Sequence, residues 1–195
     1  KLGVLGAGMM GAGIAYVSAS SGIDVVLIDQ NQESVSKGME SITNILDQGI
    51  KRGKISNEKK ESILGRITAT EDYSLLKGSN LVVEAVFEDT QVKELATKKA
   101  QKYLDEGTVF ATNTSTLPIG KLAEASISKA EFIGIHFFSP VHKMALVEII
   151  KGKDTGEKAV ATALDFVKQI RKTPIVVNDA RFFYANRCII PYINE

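Results

Sequence analysis

At 195 residues, 44% of them hydrophobic and 24% charged, the chain is long enough for one α/β domain with a substantial buried core. A net charge of +1 gives no electrostatic reason to bind nucleic acid or a membrane surface. A single cysteine, Cys188, excludes an intrachain disulfide and a cysteine-based metal framework and suits a reducing compartment; no metal site, membrane span or signal peptide is expected.

Residues 1–5 read as a short apolar strand that runs into Gly6-Ala7-Gly8-Met9-Met10-Gly11 and then into a helix over 9–20 with a narrow apolar stripe at Ile14 and Val17. In such a turn Gly6 allows the tight bend, Gly8 lets the backbone approach a pyrophosphate, and Gly11 lets helix and strand pack closely. The helix N-terminus presents free N–H groups to the phosphates. A second strand over 25–28 ends in Asp29, 18 residues past Gly11, where a βαβ unit places the acid that holds an adenosine ribose. Strand, turn, helix, strand and acid in this order point to a dinucleotide; Gly6, Gly8, Met9, Met10, Gly11, Asp29 and Gln30 are its expected contacts. The alternative is the glycine-rich turn of some other α/β protein.

Helical spacing continues over 34–51, stops at Gly53, and resumes over 57–64 up to Gly65. This pair is expected to form a helical hairpin projecting from the sheet. Its basic run Lys51-Arg52-Gly53-Lys54 reads either as a solvated tip or as a contact for acidic phosphates of a large substrate. Strands follow over 66–70, 80–86 and 108–111, with a helical turn at 72–76, a helix over 90–104 and the loop Thr112-Asn113-Thr114-Ser115-Thr116. Pro118 opens a short helix. Strands at 132–138 and 146–150 precede a helix capped by Thr155, with Val160, Ala163, Leu164, Val167 and Ile170 inward, and a last strand over 174–177. The alternation predicts a Rossmann-type, doubly wound, mostly parallel sheet with the hairpin inserted after the second strand.

Ligands of such sheets bind beyond the carboxyl ends of the strands, where Asn113, Ser115 and His136 fall. Glu148 stands inside the apolar run Leu146-Val147-Glu148-Ile149-Ile150, and a buried carboxylate needs a partner. His136, twelve residues earlier, is the natural one. An acid on one ring nitrogen fixes the tautomer and stabilises the imidazolium formed when the other nitrogen takes a proton. The alternative is a structural Glu and a wall histidine. The rival base, His142, lies in a loop and is expected to be solvated.

The block from Ile135 to Ile150, IHFFSPVHKMALVEII, resembles the signature of the L-3-hydroxyacyl-CoA dehydrogenases. Gly6–Gly11, Val83-Glu84-Ala85-Val86-Phe87-Glu88, Thr112–Ser115 and Asn186-Arg187 match in the same order and spacing. The Val141-His142-Lys143-Met144 form is similar to the α subunits of multifunctional fatty-acid oxidation enzymes. The resemblance implies NAD-dependent oxidation of an L-3-hydroxyacyl-CoA to the 3-ketoacyl-CoA. It implies His136 as base, Glu148 as its orienting partner, Ser115 as a hydroxyl on the substrate's 3-oxygen and Asn186 as a group near the histidine. It places Asn113, Glu88 and Lys93 near cofactor and substrate, although Ser115 also reads as a turn hydroxyl, Lys93 as an exposed helix lysine and Glu88 as a loop acid. Asp29 favours NAD over NADP, because a 2′-phosphate meets its charge.

The resemblance further implies an acyl-CoA substrate, a thiolase subunit as partner, a homodimer through a following helical domain, and a bacterial cytoplasm or organelle matrix. The chain starts within its first strand and stops in an apolar segment. It therefore reads as an excised piece: 1–179 an NAD-binding domain, 180–195 the start of a truncated all-α domain. Two positions depart from the family: Ser139, where many members carry Asn, and Ala180-Arg181, where most carry a Pro-Gly turn. Neither Ala180 nor Arg181 replaces glycine at positive φ cheaply, so the path into the last helix is expected to differ. Two other readings are a non-catalytic NAD-binding sensor or structural protein, which has no need of His136 with Glu148, and a dehydrogenase of a small hydroxy or sugar acid, against which the His-Phe-Phe-Ser-Pro block argues.

Overall fold

The computed structural model describes residues 1–194. Its centre is made by strands that are apolar but for a polar residue closing β4 and β5: β1 (Leu2–Leu5), β2 (Val25–Ile28), β4 (Leu81–Glu84) and β5 (Val109–Thr112), each buried at every position. With β3 (Ile67–Thr70), β6 (Phe132–Phe137), β7 (Leu146–Lys151) and β8 (Thr173–Asn178) they form one sheet in the order β3-β2-β1-β4-β5-β6-β7-β8. β1 to β6 run parallel; β7 is antiparallel to β6, and β8 is parallel to β7. The strand order reverses between β1 and β4, which opens a crevice beyond their carboxyl ends. This is a Rossmann-type α/β fold.

The helices are α1 (Met9–Ser20), α2 (Gln32–Lys51), α3 (Asn57–Leu64), α4 (Thr90–Gln101), α5 (Ile119–Leu122), α6 (Glu157–Gln169) and α7 (Ala185–Asn194). α1 is buried on far more than the narrow stripe expected of it: Gly11 to Ala15 and Val17 to Ala19 are all buried. A Cβ at Gly13 would stand 2.8 Å from Val141, so the loop after β6 covers the side that the sheet does not. α2 starts two residues earlier than its apolar spacing suggests, because Asn31 caps it by accepting from the Ser34 N–H. α2 and α3 form the expected hairpin after β2. Gly38 of α2 packs against Ala7 in the glycine-rich turn, and Ile63 of α3 joins the core.

Three boundaries differ from expectation for identifiable reasons. β4 stops at Glu84 because the next turn folds the Val86 N–H onto that residue's own carboxylate, 2.8 Å away. Thr155 does not cap α6. Gly156 holds the cap position, and the Thr155 hydroxyl instead accepts from Gly152 N and donates to Phe132 O, tying the turn to β6. Pro118 precedes α5 as its cap residue, and the cap bonds come from Asp179, whose carboxylate accepts from the N–H groups of Ile119 and Gly120 at 3.0 and 2.8 Å.

The approach to α7 departs from expectation in its place. Ala180 and Arg181 are not the left-handed residues; Phe182 and Phe183 are, at φ 64° and 54°. Each such residue costs about 1–2 kcal/mol. Phe183 recovers it by burying its ring, whereas Phe182 is half-buried under Arg181. Thermal unfolding is therefore expected to separate the two. Phe182→Gly should be close to neutral, with strain relief offsetting the lost ring, while Phe183→Gly should cost about 2–3 kcal/mol, the loss of a buried aromatic less the strain relieved.

Candidate active site

Gly6, at φ 94°, makes the bend after β1, and Gly11 sits beneath it with no room for a side chain: a Cβ there would lie 1.8 Å from Gly6 O. Gly8 is the opposite case, with nothing within 4 Å of a Cβ. α1 begins immediately after it with no side-chain cap, and the N–H groups of Met9 and Met10 meet no acceptor among the described residues. Asp29 is drawn onto the turn, its Oδ2 accepting from Ala7 N and its Oδ1 from Gln30 N, both at 2.6 Å.

A cleft of about 840 Å³ opens over these groups, lined by Gly6, Gly8, Met9 and Met10, by Asp29 and Gln30, and across from them by Ala85, Val86 and Phe87. Tyr73 and Lys99, which no motif in the sequence marks, also line it. The Lys99 ammonium lies 4.1 Å from the Tyr73 ring centre. Burial, with the charge of Asp29, raises the Tyr73 hydroxyl pKa, so it stays protonated. Uncapped helix N–H groups, an open flank at Gly8 and an acid at the far end fit the phosphates and ribose of an adenine dinucleotide.

The second group of residues gathers around β6 and β7. His136 and Glu148 are direct cross-strand partners, and His136 Nδ1 lies 2.7 Å from Glu148 Oε2. Both residues are buried. The other carboxylate oxygen, Oε1, accepts from Tyr184 N at 3.0 Å and Ala185 N at 2.7 Å, at the start of α7. Burial pushes the Glu148 carboxyl up, but the hydrogen bonds from His136, Ala185 and Tyr184 outweigh it and hold it below its ordinary value. An ionised Glu148 requires the proton of the imidazole on Nδ1, which leaves Nε2 as the basic nitrogen. Phe138 and Phe183 flank the ring at 4.4 and 6.0 Å between centres. His142 sits on the exposed loop with its ring edge-on to Tyr16, 6.3 Å away. Desolvation, with the charges of Lys143, Lys172 and Arg52, lowers its pKa.

A carboxyl held low stabilises the fold above its unfolded pKa, and that contribution is lost as pH falls through the folded value. The thermal midpoint is therefore expected to drop as pH is taken from 5 down past the ordinary glutamate value of 4.5, and Glu148→Gln should flatten that acid limb in unfolding scans across pH.

The remaining residues bridge the two groups. Asn113 Oδ1 accepts from Phe137 N at 2.8 Å, and Asn186 Nδ2 donates to Ser115 O at 3.2 Å. Glu88 Oε1 accepts from Ser115 N at 2.8 Å and from Ser115 Oγ at 3.1 Å. Burial raises the Glu88 pKa, but bonds from Thr114 and Ser115 and the charge of Lys93 prevail and lower it. Glu88, Asn113 and Ser115 lie outside the lining of the large cleft. So does Lys93, which is no exposed helix lysine: at 1% exposure its ammonium is enclosed between Glu84 at 2.8 Å and Glu88 at 3.2 Å. Glu84, fully buried at the end of β4, is not among the residues expected from the sequence. Its signal is nonetheless there, a carboxylate inside Leu-Val-Val-Glu-Ala-Val, the same one that marks Glu148.

A family profile described as "3-hydroxyacyl-CoA dehydrogenase, NAD binding domain" matches residues 1–180. The chain belongs to the 3-hydroxyacyl-CoA dehydrogenases. Among solved structures it is similar to the (S)-3-hydroxybutyryl-CoA dehydrogenase PaaH1 from Ralstonia eutropha, at 38% identity and a TM-score of 0.97, over 99% of this chain and 68% of that one. It is also similar to FadB2 from Mycobacterium tuberculosis, at 34% identity and a TM-score of 0.96, over 99% and 68%. A 3-hydroxybutyryl-CoA dehydrogenase from Escherichia coli K12 shares 31% identity at a TM-score of 0.95, over 100% of this chain but only 41% of the other. The cofactor of this 3-hydroxyacyl-CoA dehydrogenase domain is NAD, which the glycine-rich cleft and Asp29 fit. Among the described residues no helix is long and apolar enough to cross a membrane.

Proposed function

We propose that this domain serves the oxidation of L-3-hydroxyacyl-CoA to 3-ketoacyl-CoA in fatty-acid β-oxidation, with His136 as the base. The observation that carries the reading is the His136–Glu148 pair, 2.7 Å apart and buried in adjacent strands beside the cofactor half of the fold. When bound, NAD accepts the hydride from the carbon that bears the hydroxyl. His136 Nε2 takes the hydroxyl proton, and the ionised Glu148 stabilises the imidazolium that results. The N–H groups of Tyr184 and Ala185 keep Glu148 in place during that change. Ser115 holds the substrate oxygen, with Asn186 on its carbonyl. Glu88, Lys93 and Asn113 support the cofactor end of this loop. Gly6, Gly8, Met9, Met10 and Gly11 seat the pyrophosphate, and Asp29 with Gln30 the adenosine ribose.

Residues 180–195 are read as the start of a following helical domain. The exposed Ile189, Tyr192 and Ile193 on α7 support a packing surface there. Similarity to the dehydrogenase part of multifunctional enzyme 1 from C. elegans, at 27% identity and a TM-score of 0.83, supports a multifunctional polypeptide, for which a thiolase subunit, a homodimer through the helical domain and a bacterial cytoplasm complete the proposal.

The test is steady-state oxidation of NADH in the full-length protein. Acetoacetyl-CoA should be reduced, and NADPH should serve at least about tenfold less well, because its 2′-phosphate meets the charge of Asp29. Absence of turnover with 3-ketoacyl-CoA of any chain length, with NADH bound, would sink the assignment.

A further inference from the structure

Glu84 has no part in the mechanism above, yet it is fully buried and both of its carboxylate oxygens are bonded at the carboxyl edge of the central strands. Its Oε1 accepts from Lys93 Nζ and from Val86 N, and its Oε2 from Thr112 Oγ1, each at 2.8 Å. Thr112 is its cross-strand neighbour at the end of β5. Lys93, in the first turns of α4, reaches from Glu84 to Glu88 Oε2 at 3.2 Å. Glu88 Oε1 then collects Thr114 Oγ1 at 2.7 Å, Ser115 N and Ser115 Oγ. One continuous line of charge-assisted bonds runs from the buried floor of the sheet to Ser115.

A buried ion pair is a poor device for stability, since replacing both partners by neutral groups of similar size is often neutral or stabilising. What a neutral pair cannot do is orient a third charge. Lys93 stands between two carboxylates, so the trio carries one net negative charge and Glu88 is left in excess, collecting three donors. An ionised carboxylate only accepts, so without substrate the Ser115 hydroxyl donates to Glu88 and its Oγ is held in place, from where it can turn its proton to a substrate oxygen.

We propose that Glu84 is a positioning residue: through Lys93 it fixes Glu88, and through Glu88 it sets the place of the Ser115 hydroxyl. The proposal rests on the reading of Ser115 as a substrate contact. It also reaches the cofactor cleft, because Val86, held by Glu84, and Phe87, beside Glu88, line its wall.

The neutral double variant Glu84→Gln/Lys93→Met keeps one acceptor, the amide oxygen, for Val86 N and lets the amide nitrogen donate to the Thr112 hydroxyl, while removing both charges. In the full-length protein its thermal midpoint should stay within about 4 °C of wild type. Its kcat/KM for acetoacetyl-CoA should fall about a hundredfold, mostly in kcat, as expected when a contact is misplaced by about 1 Å. NADH affinity, read by fluorescence, should fall about tenfold. Wild-type turnover in this variant overturns the proposal, because the ion pair is then merely structural. Should the wild-type protein bind NADH but reduce no 3-ketoacyl-CoA, the functional reading fails by itself. NADH affinity then decides: loss at an unchanged midpoint keeps Glu84 as a positioning residue for the cleft wall, and wild-type affinity removes it. Should the double variant melt well below wild type, Glu84→Asp decides, since it keeps every charge but withdraws from Lys93. The same loss in kcat supports the proposal, and wild-type kcat overturns it.

Discussion

Replacing His136 by glutamine is expected to lower kcat/KM for acetoacetyl-CoA reduction by about a thousandfold, while NADH affinity stays within about twofold of wild type. Glutamine is the right probe because of what surrounds the imidazole. Glu148 is fully buried and ionised, and removing its partner altogether would leave an uncompensated charge, a change that costs about 3–5 kcal/mol and confuses folding with chemistry. A glutamine amide can still donate toward Oε2, and the Tyr184 and Ala185 N–H groups still hold Oε1. What disappears is a nitrogen that can carry a proton to and from the substrate. The cofactor cleft is lined by neither His136 nor Glu148, so binding of NADH has no reason to change. A thousandfold loss corresponds to about 4 kcal/mol of transition-state stabilisation. Turnover within about tenfold of wild type would mean that another group moves the proton and that the His136–Glu148 pair is structural.

That pair is legible in the amino-acid sequence because it breaks a local rule. A carboxylate in the middle of Leu-Val-Glu-Ile-Ile has to be explained, and the spacing to His136 allows the explanation. The first strand, first helix and second strand are legible for a similar reason: short apolar runs punctuated by glycines leave few alternatives. What stays hidden depends on partners far away in the chain. Lys93, which the family resemblance places near cofactor and substrate, reads from its helix alone as a surface lysine, because Glu84 and Glu88, on a strand end and a loop, enclose it only once the sheet has formed. Thr155 looks like a helix cap until β6 offers it the Phe132 carbonyl. The nearly complete burial of α1 needs Val141, more than a hundred residues on. The left-handed pair Phe182–Phe183 is imposed by its two anchors, Asp179 on the N-terminus of α5 and Glu148 on the N-terminus of α7, and the path between them leaves those residues little choice.

The two glycines of the opening turn should fail in opposite ways when each is given a single methyl group. At Gly11 an alanine Cβ would stand 1.8 Å from Gly6 O and 2.9 Å from Gly6 C, and both atoms are backbone at a bend whose φ is already 94°. No side chain can rotate away, so helix and strand must separate at the point where β1 feeds α1. Gly11→Ala is expected to cost more than about 4 kcal/mol, enough to remove most of the stability of an ordinary domain, and to appear as a collapsed thermal midpoint or an insoluble product. At Gly8 the same methyl meets nothing within 4 Å, and the backbone there, at φ −65° and ψ −175°, suits alanine. Gly8→Ala should therefore fold with a midpoint lowered by no more than the ~1 kcal/mol of a weaker helix cap. Its methyl instead occupies the flank across which the pyrophosphate approaches the N–H groups of α1. Forcing a methyl into a packed contact costs about 1–3 kcal/mol, a roughly tenfold to hundredfold loss of NADH affinity. Fluorescence titration of NADH beside a melting curve reads both at once. Wild-type NADH affinity in Gly8→Ala would show that the dinucleotide does not cross this flank, and a well-folded Gly11→Ala would show that the turn can open where the packing says it cannot.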